Sequence, residues 1–355
     1  MLYPVIAILI FGVIIATHEF GHFAAAKCLG VKVNEFSVGM GPAVFKGQKG
    51  ETLYTIRAFP LGGYCAMEDG DEEENPEPRA FNCVAVWRRL IILVAGAVMN
   101  FVTGVLLFVL LFAQAQGFYR PMISGFLDGY GLENCGLQAG DVVVSVDGHR
   151  MYSYNNLQMF LGRAGDTIDF VVEREGKRIV ISDIYMPLQE RVDEKGQSTF
   201  LRGFTVGRDI VPATLSNRVI YAWYGALDFV RMTWLSLGDL ISGVVGLNQL
   251  SGPVGIVDTM TQVGNQSENV AVAAQNMIYL AALISVNLAV MNLLPIPALD
   301  GGRIFFLLLN TLLYVVIRKR IPNRYEGYVH LTGMAMLMVL MIFVTVGDIG
   351  RLFSR

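Results

Sequence analysis

Long apolar runs separated by polar stretches dominate the amino-acid sequence. The runs cover about residues 4–26, 90–113, 271–317 and 328–346. A helix of about 20 apolar residues spans the hydrocarbon core of a bilayer, so each run is long enough to cross it. The third run would form a straight helix of roughly 60 Å, twice the thickness of that core, and must therefore break. Pro295, Pro297 and Gly301-Gly302 mark the predicted break.

The segments between the apolar runs show other patterns. Residues 31–67 read as short strands, because glycine and proline interrupt them and residues 51–57 have a strand-like composition. Residues 117–210 regain charges and turn signals, which predicts a small mixed α/β domain. Residues 211–256 are apolar with spaced charges, which favours an amphipathic helix at the membrane interface. Residues 68–89 begin with an acidic, proline-bearing run that is typical of a solvated loop.

The pattern as a whole predicts a polytopic α-helical membrane protein with about four transmembrane helices, a membrane-associated β-element and one α/β domain. The predicted units are transmembrane helix 1 (1–30), the β-element (31–67), the acidic loop (68–89), transmembrane helix 2 (90–116), the α/β domain (117–210), the interfacial helix (211–256), transmembrane helix 3 (271–303), a membrane-associated segment with a basic loop (304–324) and transmembrane helix 4 (327–350).

Composition supports this prediction and narrows the class of protein. Of the 355 residues, 54% are hydrophobic and only 16% are charged, which is outside the range of soluble domains. The net charge of -3 and the absence of a basic patch with interleaved aromatic residues argue against a nucleic-acid partner. The four cysteines have no Cys-x-x-Cys spacing, so no disulfide framework is expected. The first apolar run lacks a basic start and is expected to be retained rather than removed as a signal peptide.

Positively charged residues predict the orientation of the chain in the bilayer. Lys and Arg concentrate in cytoplasmic loops of membrane proteins, and the counting is valid for short loops. The loop between the first two runs carries eight such residues, and the loop before the last run carries four. These loops are therefore expected in the cytoplasm, with the α/β domain on the opposite side of the membrane. The residues counted are Lys27, Lys32, Lys46, Lys49, Arg57, Arg79, Arg88, Arg89, Arg318, Lys319, Arg320 and Arg324.

A chemical motif lies inside the first apolar run. His18, Glu19 and His22 form the pattern His-Glu-x-x-His. Residues four apart share a face of a helix, so the two imidazoles can hold one metal ion while the carboxylate faces a water molecule at the metal. Two buried core histidines would be the ordinary alternative, but ionisable groups at membrane depth are costly and indicate a functional site. The motif therefore predicts a zinc hydrolase with Glu19 as its general base.

The third metal ligand must come from elsewhere, because catalytic zinc usually has three protein ligands and one open position. Asp300 is the best candidate, since it lies beside the predicted helix break and intramembrane carboxylates are rare. An ordinary Asp-Gly-Gly turn is the alternative. Asn287 and Asn292 are candidates for binding the substrate backbone, with helix packing as the alternative, whereas an interhelical hydrogen bond is the preferred interpretation of Asn100.

Together these motifs resemble the site-2 protease family of intramembrane zinc metalloproteases, in particular the bacterial RseP/RasP type. The resemblance covers nearly the whole chain. It implies Zn²⁺ held by His18, His22 and Asp300, with Glu19 catalytic and Asn292 contacting the substrate. The motifs that carry it are His18-Glu19-Phe20-Gly21-His22, Pro60-Leu61-Gly62-Gly63-Tyr64, Met99-Asn100, Asn292-Leu293-Leu294-Pro295 and Leu299-Asp300-Gly301-Gly302.

The resemblance also implies what the protein does. It implies regulated intramembrane proteolysis, in which single-span membrane proteins such as anti-sigma factors or remnant signal peptides are cut within the bilayer. The α/β domain is expected to be a single PDZ-like domain, where some relatives carry two, and the 31–67 strands are expected to present substrate. Ser251-Gly252-Pro253 matches a family position, but its sequence indicates no role.

Two other classes of function compete with the protease. A membrane adaptor with a structural zinc would need a closed site with a fourth ligand, and Cys28 is badly placed for this, about 240° around the helix from His22. An ion transporter that uses the same ionisable residues as a relay predicts inverted repeats, which the sequence does not display. The protease remains the preferred hypothesis.

Overall fold

A computed structural model describes residues 2–68, 77–132, 135–192, 198–246, 249–319 and 321–353. Most of the predicted acidic run, residues 69–76, lies outside these ranges. The chain divides into two compact units, of which one combines Met1–Leu111 with Gly225–Arg355 and the other is Phe112–Tyr224. The helical unit and the inserted unit are described separately below.

Five of the described helices are long and apolar enough to cross a membrane. Several side chains on their surfaces are large, apolar and exposed, which suits contact with lipid. Helices and sheets of this kind agree with the predicted helical membrane protein, although the number of crossings stays a prediction. The five are α1 (Leu2–Cys28), α2 (Val86–Leu111, extended by the 3-10 turn Phe112–Gln114), α6 (Val270–Asn292), α7 (Asp300–Ile317) and α8 (Asn323–Phe353).

The long apolar run breaks between α6 and α7. Helix α6 ends at Asn292 and α7 begins at Asp300. Pro295 and Pro297 lack the backbone N–H that a continuous helix needs, and Ala298 has a φ of 77°, which is left-handed. The structure thus differs from the predicted boundary at 303, because residues 300–303 start the second helix and continue into the segment predicted separately as 304–324.

A long β-hairpin follows α1. Strand β1 (Val33–Lys49) pairs antiparallel with β2 (Thr52–Met67), and the first part of β1 lies between two parts of β2, since Phe36 pairs with both Tyr54 and Cys65. The two long strands therefore fold back on themselves and form a small sheet rather than a simple two-stranded ribbon. The backbone of β2 comes close to α1, because a Cβ on Gly12 would collide with the carbonyl group of Pro60. The hairpin therefore runs beside the helix that carries the His-Glu-x-x-His motif.

Helix α2 lies against both α1 and α6, and small residues allow the close approach. Gly21 of α1 lies over α2, where an added Cβ would be 2.9 Å from Met99 Cβ. Gly104 of α2 lies over α6, where an added Cβ would strike Val286. Small residues at such crossings let helix backbones pack closely in membranes. This packing brings the central parts of α1, α2 and α6 together.

The region predicted as one interfacial helix, 211–256, contains parts of two helices. Helix α4 (Leu215–Ile241) ends well before α5 (Pro253–Gln266) begins, and residues 247 and 248 lie outside the described chain. Gly252 is the N-cap of α5 and Pro253 its first residue, a position that suits proline because no intrahelical N–H bond is lost there. Met260 of α5 is buried with Ala7 of α1 and Met277 of α6, so α5 packs into the helical unit.

Asp348 of α8 forms hydrogen bonds with the backbone at and just after the Ser251-Gly252-Pro253 segment. Its carboxylate accepts hydrogen bonds from the backbone N–H groups of Gly252, at 3.0 Å, and Gly255, at 2.7 Å. Arg351 donates both to Asp348 Oδ1, at 2.6 Å, and to the carbonyl of Leu250, at 2.7 Å. The unpaired N–H groups at the start of α5 are thereby satisfied by a side chain from another helix. The segment is an anchoring point for α8.

The inserted unit is built on an antiparallel sheet with the strand order β10-β3-β4-β6-β7. Helix α3 (Tyr154–Leu161) is capped by Ser153, and Phe170 lies in the buried core. A separate two-stranded ribbon joins β8 to β9. The strands are β3 (Gly117–Phe126), β4 (Val142–Val146), β5 (His149–Arg150, paired with β4), β6 (Thr167–Arg174), β7 (Lys177–Tyr185), β8 (Gln189–Val192), β9 (Ser198–Leu201) and β10 (Phe204–Pro212).

Candidate metal centre

His18 and His22 lie one turn apart on the buried face of α1. Both side chains are buried, at 8% and 6% exposure, and their rings are 4.8 Å apart in an edge-on arrangement. Gly96 of α2 faces them, because a Cβ on Gly96 would strike His22 Nε2 and lie 2.7 Å from His18 Cε1. The absence of a side chain at Gly96 therefore leaves the space that the two imidazoles occupy.

Asp300, the first residue of α7, completes a triangle with the two histidines. Its Oδ2 atom is 3.2 Å from His18 Nε2 and 3.1 Å from His22 Nε2, and the two Nε2 atoms are 3.2 Å apart. The helix break places this carboxylate, because it turns the chain between Asn292 and Asp300 so that α7 starts at the level of the motif. The structure thus brings together the three residues that the sequence singled out, from positions about 280 residues apart.

The triangle has the size of one face of a tetrahedral zinc site. Ligand atoms about 2.0–2.1 Å from a tetrahedral metal are about 3.3–3.4 Å apart, close to the three distances observed. Asp300 Oδ2 is buried and has no hydrogen-bond partner in the part of the chain that the structure describes, although buried carboxylate oxygens normally have one. Two imidazoles and a carboxylate are donors that zinc favours. The residues therefore fit a zinc ion.

The carbonyl group of Ile92 orients His22. His22 Nδ1 lies 2.8 Å from the Ile92 oxygen of α2. A carbonyl oxygen only accepts hydrogen bonds, so Nδ1 carries the proton and donates it. In the neutral ring, Nε2 then presents its lone pair to Asp300 and His18. Metal-binding histidines are commonly held in this way by a backbone carbonyl.

Two asparagine side chains border His18. Asn100 of α2 is fully buried, and its Nδ2 atom lies 3.3 Å from His18 Nδ1. Asn292, the last residue of α6, has its Nδ2 atom 3.3 Å from His18 Nε2. The Asn100 backbone carbonyl also accepts a hydrogen bond from Ser285 Oγ at 2.8 Å. Asn100 is thus the interhelical residue that the sequence predicts, but its partner is a residue of the site.

The side chain of Glu19 extends from α1 toward β2. Strand β2 passes next to this side chain, because a Cβ on Gly63 would lie 3.3 Å from the Glu19 Cγ atom. The Glu19 carboxylate interacts electrostatically with His18, His22 and Asp300, which places it beside the triangle. The side chain is half-buried. The hairpin therefore borders the carboxylate that the motif assigns to catalysis.

Asn287 has a different environment from Asn292. Its Oδ1 atom lies 3.2 Å from Thr233 Oγ1 of α4, which donates the hydrogen bond. This contact joins α4 to α6 and matches the packing alternative. A role for Asn287 in binding substrate stays a prediction.

The sequence did not reveal every residue that surrounds the site. The Ile92 carbonyl is a backbone group and leaves no trace in side-chain patterns. Gly96 and Asn100, in contrast, are four residues apart and so share one face of α2. A small residue and an amide on the same face of an apolar helix would have been a usable indication that α2 lines the site.

Comparison with known proteins agrees with this geometry. Residues 6–340 match the model of peptidase family M50. A Clostridium acetobutylicum protein named as a zinc metalloprotease is 33% identical over 348 residues, which cover 97% of this chain and 96% of the relative. A Clostridium perfringens protein with the same kind of name is 31% identical, covering 98% of both chains. The regulator of sigma-W protease RasP from Bacillus subtilis is 29% identical, again covering 98% of both chains.

These matches extend over nearly the whole chain and include both helices that carry the triangle. The relatives named as zinc metalloproteases identify the cofactor as zinc, for which the three donors have the right chemistry and spacing. The chain therefore belongs to peptidase family M50, the site-2 proteases, and is a zinc metalloprotease.

Proposed function

We propose that this protein hydrolyses peptide bonds in the transmembrane segments of single-span membrane proteins, with His18, His22 and Asp300 as the zinc ligands. The observation that carries the proposal is the triangle of donor atoms, with sides of 3.1–3.2 Å, between two helices that are apolar enough to lie in a bilayer. A site built on such helices acts on bonds at membrane depth.

The chemistry divides between the metal and Glu19. Bound zinc supplies a Lewis acid that lowers the pKa of a water molecule toward about 7 and polarises the substrate carbonyl. Glu19 accepts the proton of the attacking water and passes it to the leaving amine, because it is the carboxylate that borders the triangle without belonging to it.

Substrate binding uses the hairpin and Asn292. A transmembrane helix shields its peptide bonds by internal hydrogen bonds, so it must be unwound before hydrolysis. Strand β2 lies against α1 beside Glu19 and offers backbone groups to an extended segment, as in β-augmentation. Asn292 is close enough to His18 to bind the substrate backbone next to the metal. The hairpin also exposes apolar side chains suited to lipid or to an apolar substrate, namely Met40, Val44, Phe45, Ile56 and Phe59.

The setting of the reaction follows from the charge pattern and from a relative. The distribution of Lys and Arg supports a multi-pass protein of the bacterial plasma membrane, with the metal centre toward the cytoplasm and the inserted unit outside. One relative is named as a regulator of sigma-W. Anti-sigma factors and remnant signal peptides are therefore the proposed substrate classes, and a single PDZ-like fold remains the proposal for the inserted unit.

The adaptor hypothesis is weaker than the protease hypothesis. A structural zinc site is closed by four protein ligands, and within the described part of the chain the group of potential ligands comprises His18, His22 and Asp300. Cys28 is exposed. A site with three protein ligands leaves a position open for reactants, as catalysis requires.

The decisive experiment measures cleavage of a single-span reporter in liposomes by the wild type and by Glu19→Gln, with zinc content determined for both. We expect Glu19→Gln to bind zinc normally and to lose about 10²–10⁴-fold in cleavage rate, which is the contribution of general acid–base catalysis. If both proteins bind zinc and cleave the reporter equally, Glu19 is not the catalytic base. If zinc is bound but neither protein cleaves any single-span reporter, the adaptor hypothesis gains.

A further inference from the structure

The loop before Asp300 contains a strained residue. Ala298, two positions before the carboxylate, has a φ of 77°, although its side chain disfavours the left-handed region. Such a conformation costs about 1–3 kcal/mol and persists only where surrounding groups enforce it. The direction of Asp300 depends on this turn, because α7 starts directly after it. Whatever enforces Ala298 also sets the third corner of the triangle.

His330 of α8 is the side chain that contacts this residue. The backbone N–H of Ala298 donates a hydrogen bond to His330 Nδ1 at 3.0 Å. One turn further along α8, Gly333 lies against the same loop, where an added Cβ would be 3.0 Å from both the C and the O atoms of Pro297. Helix α8 therefore touches the loop at two consecutive residues, and close approach requires the glycine.

The other side of the His330 ring defines its chemical state. Because Nδ1 accepts the Ala298 proton, Nε2 carries the ring's own proton. Nε2 is buried, has no hydrogen-bond partner within the described chain, and lies 3.9 Å from Glu326 Oε1. The ring also packs on Phe306 of α7, with centroids 5.6 Å apart. His330 thus contacts both segments that flank Asp300, the loop before it and the helix after it.

Helix α8 contacts the loop before Asp300 near one end and α5 near the other. Much of its surface is exposed, as shown by Met336 at 71% and Val339 at 67%. Its far end is anchored to α5 through Asp348. Apolar residues of α8, such as Val329 and Met336, also border Ile296 and Pro297 of the loop, and His330 adds a hydrogen bond to the loop backbone.

We propose that His330 is a positioning residue for the metal centre: by accepting the Ala298 N–H it holds the strained loop so that Asp300 Oδ2 points at His18 and His22. The proposal rests on the assignment of Asp300 as a zinc ligand. It concerns how the third ligand is held, and it gives α8 a defined part in metal binding.

The test compares the rate of zinc release to a chromogenic chelator from purified, detergent-solubilised variants. We expect His330→Ala to release zinc about tenfold faster than the wild type, since residues that orient ligands typically change metal affinity about 10–100-fold. His330→Asn is expected to restore slow release, because its amide oxygen takes the place of Nδ1. His330→Gln is expected to fail, because its oxygen reaches the place of Nε2 instead.

Two further variants provide the controls. Thr332→Ala, on the same helix, removes a hydroxyl that bonds to the Tyr328 carbonyl of its own helix, and is expected to leave zinc release unchanged. Asp300→Ala tests the underlying assignment. If Asp300→Ala retains zinc like the wild type, the proposed metal centre itself fails. If Asp300→Ala loses zinc while His330→Ala releases it at the wild-type rate, only the positioning role is overturned.

The Asn and Gln variants separate positioning from general packing. Equal restoration by both amides, or by neither in folded protein, would contradict a hydrogen bond specific to Nδ1. If His330→Ala is recovered only as aggregate, the comparison of Asn with Gln decides the question alone. Slow release from Asn with fast release from Gln supports the proposal.

Discussion

Asp300 and Asp348 are two aspartates in apolar helices, but their surroundings differ completely. Asp348, at 2% exposure, accepts two backbone N–H groups and pairs with Arg351. Asp300 faces two imidazole nitrogens at 3.1–3.2 Å, and no hydrogen-bond partner for its Oδ2 atom is found among the described residues. One carboxylate is satisfied by the protein, whereas the other faces the position at which we propose that zinc binds.

The difference shows what a buried carboxylate in a membrane helix indicates. Carboxylates are rare in such helices, and one that occurs there usually has a specific partner. The partner can be a helix terminus as well as a metal. The donors nearby distinguish the cases. Backbone N–H groups and guanidinium groups donate hydrogen bonds to a carboxylate. Imidazole nitrogens that present lone pairs cannot do so, and a cation between them and the carboxylate makes the arrangement favourable.

The largest expected effect is a difference in zinc content between the Asp300→Ala and Asp348→Ala proteins. Asp300→Ala removes one of the three proposed ligands, so zinc affinity is expected to fall by about 1000-fold or more, whereas Asp348→Ala leaves all three in place. Metal analysis of the purified proteins after dialysis against a weak chelator measures the difference. Equal zinc content in Asp300→Ala and the wild type would remove Asp300 from the site and end the comparison.

The next effect tests whether the space between α1 and α2 is reserved for the imidazoles. Gly96→Ala places a methyl group against His22 Nε2 and His18 Cε1, which is expected to lower zinc affinity about 10–100-fold, because inserting a methyl into a packed site costs about 1–3 kcal/mol. Competition with a zinc chelator measures the affinity. Gly104→Ala is the matched control on the same helix, since its methyl strikes Val286 rather than the site. Similar zinc affinity for both variants would show that Gly96 does not shape the centre.

A smaller effect tests the structural role of Asp348. Asp348→Ala leaves the N–H groups of Gly252 and Gly255 without their acceptor, so it is expected to lower the stability of the protein by about 2 kcal/mol with zinc still bound. Arg351 is partly exposed and can be solvated, which limits the loss. Thermal unfolding in detergent is the measurement, and Asp348→Asn, which keeps one oxygen acceptor, should lie between the two. An unchanged melting temperature would show that this cap is dispensable.

The smallest expected effect concerns Asp141 of the inserted unit, a buried aspartate that, like Asp348, is held by backbone and arginine donors. Asp141, fully buried, accepts hydrogen bonds from Arg174, at 2.7 Å, and from the Gln138 backbone N–H, at 2.8 Å. Burial alone would raise the pKa of Asp141, but these two donors outweigh it and lower the pKa below its usual value. A group with a lowered folded-state pKa stabilises the fold above its unfolded pKa, and this stability is lost as the pH falls through the folded value.

The sheet of the inserted unit is therefore expected to lose about 1 kcal/mol of stability as the pH falls below about 4, a modest amount because Arg174 is partly exposed. Hydrogen exchange of residues 117–212 in the full-length protein at several pH values measures this loss. Asp141→Asn should already be less stable at neutral pH and should show a weaker acid dependence. The same acid dependence in both proteins would assign it to other groups.

Local features of the sequence accounted for much of the fold and for the three corners of the site. Hydropathy located the apolar helices, and proline with glycine located the break before Asp300, because helix length and backbone N–H groups are local properties. The spacing of His18 and His22 placed both on one helix face for the same reason. Membership of peptidase family M50, confirmed by the relatives, followed from these motifs in their order.

The tertiary structure decided which groups meet across helices. Only the tertiary structure distinguished Asp300 from Asp348 by the groups around them. It also showed that Asp348 accepts the Gly252 N–H and that the Ile92 carbonyl binds His22. It also brought His330 to the strained turn at Ala298. Helical periodicity specifies the face on which a side chain lies, but the partner on the opposite face depends on how distant segments pack, and that packing is not encoded in any single stretch of sequence.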